Sequence, residues 1–107
     1  MKEVTYKEYR ELSCEEQDNF TGIINSKDGS QVYYQNGNLH REDGPAVEYS
    51  DGYVGYWING KLHRIDGPAV IHSNGHIGYW INGERVSKEA QELYHSLMKL
   101  KGLIWKR

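Results

Sequence analysis

The chain has 107 residues, a net charge of −2 and 37% hydrophobic residues, with a mean hydropathy of −0.82. This length suits one domain with a modest core, and no run is apolar for long enough to form a membrane-spanning helix. A pI near 6.2 argues against a dedicated nucleic-acid binder. One cysteine, Cys14, excludes an internal disulfide. Met1 to Arg10 is mostly polar and holds no signal-peptide core, so the expected setting is the reducing cytoplasm. Charge is uneven: residues 1–20 carry −3, residues 21–83 carry −2 and residues 84–107 carry +3.

Residues 1–20 read as a helical head. Thr5 and Glu8 form a capping box for a helix over Tyr6 to Leu12, and Ser13 and Glu16 form a second for Cys14 to Asn19. Tyr9, Leu12 and Phe20 are its expected buried contacts. Cys14 sits among carboxylates, which disfavour a thiolate, so no catalytic role is expected of it.

Residues 21–83 read as a β-hairpin array. Ile23 and Ile24 begin a strand, Ser26 to Gly29 turns, and Gln31 to Gln35 returns. Ala46 to Tyr49, the Ser50-Asp51-Gly52 turn and Tyr53 to Ile58 repeat the design. So do Ala69 to His72, Ser73-Asn74-Gly75 and His76 to Ile81. Asp-Gly and Asn-Gly between apolar runs are strong turn signals, because glycine accepts the positive φ required. The phrase NGNLHREDGPAV (36–47) recurs as NGKLHRIDGPAV (59–70), an offset of 23 residues. Such a period implies stacked repeats, with NGxLHRxDGP as the loop between hairpins. Alternation puts Val54, Tyr56 and Ile58 on one face and Tyr53, Gly55 and Trp57 on the other. Ile77, Tyr79 and Ile81, and His76, Gly78 and Trp80, are their equivalents. Each tryptophan lies two residues after a glycine on its own face, where an indole can cover the bare backbone.

Residues 84–107 read as a C-terminal helix and a basic tail. Ser87 is the N-cap, Ala90, Leu93, Tyr94, Leu97 and Met98 give helical spacing, and Gly102 ends the run. The helix is expected to cap the last hairpin. The fold class is therefore α+β: stacked β-hairpin repeats in a meandering antiparallel sheet, with short N-terminal helices and one C-terminal helix.

His40, Arg41 and Asp43, with His63, Arg64 and Asp66, offer catalytic side-chain types. Their duplication points to structure instead. Two strands per repeat put equivalent residues about 10 Å apart, too far for His40 and His63 to share one zinc. The arginine and aspartate are expected to brace the loop by charge-assisted hydrogen bonds. No metal, cofactor or enzymatic activity is expected.

The aromatic-x-Asn-Gly turn at the 23-residue period, as in Trp57-Ile58-Asn59-Gly60-Lys61-Leu62-His63 and Trp80-Ile81-Asn82-Gly83, resembles MORN repeats over about 60 residues, Thr21 to Gly83. RxDGPA here replaces the shorter His-Gly-x-Gly segment of that pattern. The tandem form is similar to short-repeat proteins of tailed phages and large DNA viruses. The resemblance implies a hairpin solenoid used for protein contacts. Related short repeats also occur in antitoxin or immunity proteins.

The functional expectation is a non-enzymatic protein-binding module, monomeric and without a membrane partner. Its specific version is a small phage or viral accessory protein that inhibits a host protein, such as a defence nuclease complex, in the host cytoplasm. Tyr34, Tyr53, Trp57 and Trp80 are the expected partner contacts, since tyrosine and tryptophan anchor interfaces. The alternatives are an antitoxin-type inhibitor, or nucleic-acid binding through surface tyrosines and a patch of Lys99, Lys101, Trp105, Lys106 and Arg107.

Overall fold

The computed structural model describes residues 2–102. It contains a mostly antiparallel sheet with short helices at the head and a longer helix after the last hairpin. The chain begins with strand β1 (Glu3–Thr5), followed by helices α1 (Tyr6–Arg10) and α2 (Cys14–Asp18). Both helices start at capping boxes: Thr5 Oγ1 accepts from the Glu8 N–H and Glu8 accepts from the Thr5 N–H, and Ser13 and Glu16 repeat the exchange. Strands β2 (Gly22–Asn25) and β3 (Gln31–Gln35) form the first hairpin. Then come β4 (Asn38–Leu39), β5 (Val47–Glu48), β6 (Val54–Gly55), β7 (Trp57–Ile58) and β8 (Lys61–Leu62). The last strands are β9 (Val70–Ile71), β10 (Ile77–Ile81) and β11 (Glu84–Val86), and helix α3 (Lys88–Leu100) follows.

The main sheet runs β1-β2-β3-β5-β6-β9-β10-β11 with β4 paired to β3, and β7 and β8 form a separate two-stranded sheet. One rung crosses it from Ile24 through Val32, Val47, Gly55 and Val70 to Gly78. The next crosses the opposite face from Asn25 through Gln31, Glu48, Val54 and Ile71 to Ile77. The overall extents are 45 × 31 × 21 Å, and the radius of gyration, 15.1 Å, exceeds the ~13 Å of a compact chain of this length. Elongation leaves little interior. Among the described residues the buried apolar side chains are Phe20, Ile24, Ala46, Val47, Ala69 and Val70. Backbone pairing and loop hydrogen bonds therefore carry much of the organisation.

Four expectations are corrected. Glu3–Thr5, placed in the helical head, is a strand pairing parallel with β2; a parallel partner leaves no local turn signal in the sequence. The Asn-Gly half of NGxLHRxDGP is itself a hairpin turn, joining β3 to β4, β7 to β8 and β10 to β11. Asn36, Asn59 and Asn82 have φ of 50°, 48° and 50°, and the following glycines 79°, 78° and 83°. Both central residues are left-handed, as a two-residue turn matched to strand twist requires. The third correction is that the expected strand Tyr53 to Ile58 breaks at Tyr56, whose N–H donates to the Ala69 carbonyl while its own carbonyl accepts from the His63 N–H. Tyr33 does the same with Ala46 and His40. Residues 41–45 and 64–68 are thus excursions inserted opposite a single tyrosine.

The fourth concerns α3. Ser87 caps it, accepting from the Ala90 N–H, and Gly102 follows it at φ 67°. Yet its expected core stripe is divided: Ala90, Leu93 and Leu97 are exposed, whereas Tyr94 and Met98 are half-buried on the side of Gln91. Leu93 is 72% exposed and Gln91 only 4%. The Gln91 amide donates to the Arg64 and Gly67 carbonyls, and this pair of bonds sets the rotation of the helix.

The tryptophans lie over glycine as expected. A Cβ on Gly55 would sit 2.8 Å from Trp57 Nε1, and one on Gly78 would sit 3.0 Å from Trp80 Nε1. Gly55→Ala is therefore expected to cost about 1–3 kcal/mol by overpacking. Thermal melting and the tryptophan emission maximum check it, and an unchanged melt with unchanged emission would contradict the packing.

Candidate functional site

The repeated phrase builds a loop in which each letter has a use. Arg41 Nε donates to Asp43 Oδ1 at 2.8 Å, and its Nη1 donates to the Pro45 carbonyl at 3.2 Å. Arg64 repeats this with Asp66 at 3.0 Å and the Pro68 carbonyl at 3.1 Å. The guanidinium also lies over a tyrosine ring, at 4.1 Å from Tyr33 for Arg41 and 4.0 Å from Tyr56 for Arg64. Its other side packs on the glycine of the phrase, since a Cβ on Gly44 would meet Arg41 Cζ at 3.0 Å and one on Gly67 would meet Arg64 Cζ at 2.8 Å. The cation is thus held between an aromatic face and bare backbone, a geometry that suits a flat, delocalised ion. Ala46 and Ala69, which follow the proline, are fully buried.

His40 and His63 join one repeat to the next. The Asn59 N–H donates to His40 Nδ1 at 3.0 Å, and the Asn82 N–H donates to His63 Nδ1 at 3.0 Å. Beside them the Gly60 N–H donates to the Leu39 carbonyl and the Gly83 N–H to the Leu62 carbonyl, each at 2.8 Å. With Nδ1 accepting, the proton of neutral His40 sits on Nε2, which lies 3.1 Å from Glu42 Oε2. The first turn finds other acceptors: Asn36 donates to Thr21 Oγ1 and Gly37 to the Phe20 carbonyl, both at 2.9 Å. Both imidazoles therefore act as backbone acceptors. Among the described residues no three His, Cys, Asp or Glu side chains group as metal ligands.

Carboxylates are tuned by the same architecture. The Arg41 hydrogen bond holds Asp43 below the ordinary carboxylate range. The Ser30 N–H does so for Asp28, helped by the Ser50 hydroxyl. The Thr5 and Ser13 backbone N–H groups do so for Glu8 and Glu16. Arg41 is raised: burial opposes its charge, but the Asp43 hydrogen bond and the neighbouring charges outweigh that.

The four expected partner contacts share one face, opposite the arginine–tyrosine stacks, but not one environment. Tyr34 is engaged by the head, with its ring stacked on Tyr9 at 6.0 Å and edge-on to Phe20 at 6.4 Å; burial raises its hydroxyl pKa. Tyr34 is thus half-buried against Tyr9 of α1 and Phe20, while part of its ring stays accessible. Tyr53, Trp57 and Trp80 come together further along. Tyr53 and Trp80 line a groove of about 870 Å³ with Leu62, Val70, His72 and Arg85. Trp57 and Trp80 line an adjoining groove of about 340 Å³ with Lys61 and Leu62. Tyr53 is held by Tyr49 at 5.3 Å and His72 at 5.7 Å, and burial raises its hydroxyl pKa. No carboxylate side chain is among the described residues lining either groove. Sequence alternation does not point to Lys61 or Arg85: Arg85 reaches this face as the cross-strand partner of Trp80, whereas Lys61, paired with Ile58, lies beside Gly83 at the edge of the second groove.

Lys99 and Lys101 are exposed on and after α3, whose residues line neither groove. Trp105, Lys106 and Arg107 lie outside the described residues. No helix among the described residues is long and apolar enough to cross a membrane. Compared with family models, curated proteins and solved structures, the chain matches none.

His40→Ala leaves the Asn59 N–H without its acceptor, which is expected to cost about 1–3 kcal/mol. Urea denaturation measures the loss, and amide exchange should quicken at Asn59 while Asn36, held by Thr21, keeps its protection. Equal exchange at both would contradict the link. A second expectation concerns acid. The folded-state pKa values of Asp43, Asp28, Glu8 and Glu16 are depressed, so their contribution is complete above the ordinary carboxylate value of about 4 and drains as pH falls through the folded values. The urea midpoint should drop below about pH 4, and Asp43→Asn should make that drop shallower; a midpoint that rises on acidification would oppose it.

Proposed function

We propose that this chain is a non-enzymatic protein-binding module that engages its partner through the face carrying Tyr53, Trp57 and Trp80. The observation that carries this reading is the pair of adjoining grooves, which share Trp80 and combine half-buried aromatic rings with Lys61 and Arg85 and no lining carboxylate. Aromatic and arginine side chains in a concave setting are the usual source of interface energy. The absence of acid in the lining favours a partner segment that is itself acidic or neutral. The engagement of His40, Arg41, His63 and Arg64 in loop bonds supports a non-enzymatic reading, because each of these groups already serves the fold.

The specific version, a phage or viral accessory protein that inhibits a host protein such as a defence nuclease complex, rests on the likeness of the tandem phrase alone, as does the antitoxin version. Nucleic-acid binding through tail and tyrosines together draws less support. Lys99 and Lys101 belong to a surface that the aromatic grooves do not share.

The experiment is capture of partners by the tagged chain from host lysate, with and without nuclease. A stoichiometric protein that survives nuclease is expected. Trp57→Ala with Trp80→Ala should release it, and so should Lys61→Glu with Arg85→Glu, which changes exposed side chains and spares the packing. Neutralising Lys99 and Lys101 should leave capture intact. Equal capture by the charge-reversed and native chains would sink the proposal, and loss of capture on nuclease treatment would move the reading to nucleic acid.

A further inference from the structure

The hairpin tip at residues 73–76 differs from its two counterparts in register. Asp28 and Asp51 each accept from the backbone N–H two residues on, Ser30 at 3.0 Å and Tyr53 at 2.9 Å. In the third repeat an amide takes the carboxylate's place, and Asn74 Oδ1 accepts from the His76 N–H at 3.1 Å. That backbone donor fixes which end of the amide is oxygen. Asn74 Nδ2 then lies 3.3 Å from Nδ1 of the His76 imidazole, a ring that stands where the other repeats have Ser30 and Tyr53. The residue between them is Gly75, and a Cβ there would meet nothing within 4 Å. Asn74, Gly75 and His76 are all exposed.

These are the parts of an amide-loss reaction held on one turn. The Gly75 backbone nitrogen can close a cyclic imide on Asn74 Cγ. A backbone N–H on Oδ1 stabilises the oxyanion that forms as the nitrogen attacks. An imidazole beside Nδ2 can supply the proton with which ammonia leaves. Three other Asn-Gly pairs occur, at 36–37, 59–60 and 82–83, and are followed by Asn38, Lys61 and Glu84 rather than histidine. Their glycine N–H groups donate outside their own hairpins, to the carbonyls of Phe20, Leu39 and Leu62 at 2.9, 2.8 and 2.8 Å. The Gly75 N–H donates to the His72 carbonyl within the same turn at 2.9 Å, so local opening of the tip frees it.

We infer that Asn74 is a self-modification site, at which the third repeat converts its own side-chain amide to a carboxylate. The Gly75 nitrogen bonds to Asn74 Cγ and gives its proton to solvent. The Cγ–Nδ2 bond breaks, ammonia leaves with a proton from the His76 imidazolium, and solvent returns a proton to the ring. Water then opens the imide at either carbonyl, leaving aspartate or isoaspartate. Asn74 lines the larger aromatic groove with Tyr53, Trp80 and Arg85, where no described lining residue carries a carboxylate. The reaction places one there. Resting on the protein-binding reading of that groove, the conversion lowers affinity for an acidic partner segment as the chain ages.

Peptide mapping by mass spectrometry, on the full chain aged in neutral buffer, tests this. Asn74 is expected to convert about tenfold or more faster than Asn36, Asn59 and Asn82, and His76→Ala, which keeps the N–H, should slow it about tenfold. Should that variant unfold, His76→Tyr, the residue of the second repeat, takes its place. Equal conversion at Asn74 and Asn59 overturns the inference, and so does a rate at Asn74 that substitution of His76 leaves unmoved. Asn74→Asp supplies the product directly and should fold, because Asp51 holds the same turn. Its capture of protein from nuclease-treated host lysate should fall about fivefold or more below that of the native chain. Equal capture overturns the regulatory step. A native chain that captures nothing overturns the protein-binding reading and the regulation with it, whereas the mapping still decides the chemistry at Asn74.

Discussion

The turn of each repeat hangs on the repeat before it. A two-residue Asn-Gly turn with both φ angles positive points its two N–H groups out of its own hairpin, where they need acceptors. The preceding repeat supplies them, as the carbonyl of its leucine and Nδ1 of its histidine. Donors at the first two positions of one phrase and acceptors at the fourth and fifth positions of the phrase before it tie the copies together at their 23-residue offset. At the N-terminal boundary Phe20 and Thr21 offer a carbonyl and a hydroxyl in the same places. At the C-terminal boundary Val86 stands where the histidine of a further copy would be, Tyr79 pairs with it directly, and no excursion follows.

Within a repeat the excursion solves a second problem. Five residues must leave the ladder and return opposite one tyrosine without stranding its backbone. The arginine closes the gap by bonding to the aspartate and to the proline carbonyl while covering the tyrosine ring. Lysine has neither the fork nor the flat face for this. With so few buried apolar side chains, these polar and stacking contacts take over part of the role that a hydrophobic core has in a rounder domain. The same economy explains why half-buried aromatic rings remain on the opposite face, where among the described residues no second layer covers the C-terminal part of the sheet.

Legibility in the sequence followed the range of the interaction. Capping boxes, Asp-Gly turns, the α3 N-cap and the indole-over-glycine packing are local or lie on one strand, and each could be read from neighbouring letters. The arginine–aspartate bond spans two residues and was equally readable. What escaped depends on partners far along the chain. Strand β1 pairs with residues about twenty positions later. Gln91 reaches Arg64 and Gly67, 27 and 24 residues back, and so rotates a helix whose periodicity alone suggested leucines facing in. Tyr34 looked like its equivalents Trp57 and Trp80, yet only Tyr34 lies beneath Tyr9. The grouping of Tyr53, Trp57 and Trp80 on one face was visible in the alternation, whereas Arg85, and Lys61 at the groove edge, joined them through hairpins that the period alone did not reveal.

The hooks between repeats have a polarity, and it bears on heredity as much as on mechanics. A unit that carries both the donors and the matching acceptors is interchangeable with any copy of itself. In-frame gain of another 23-residue unit between two existing ones would leave the Phe20–Thr21 start and the Val86 stop untouched, since each repeat contacts only its neighbours. Unequal recombination between the stretches that encode the matching residues 36–47 and 59–70 would supply such a unit in one genetic event. Each added copy would lengthen the aromatic face by one more tryptophan-bearing step. Through such events a lineage could adjust the reach of this surface in whole increments, without inventing a new side-chain arrangement.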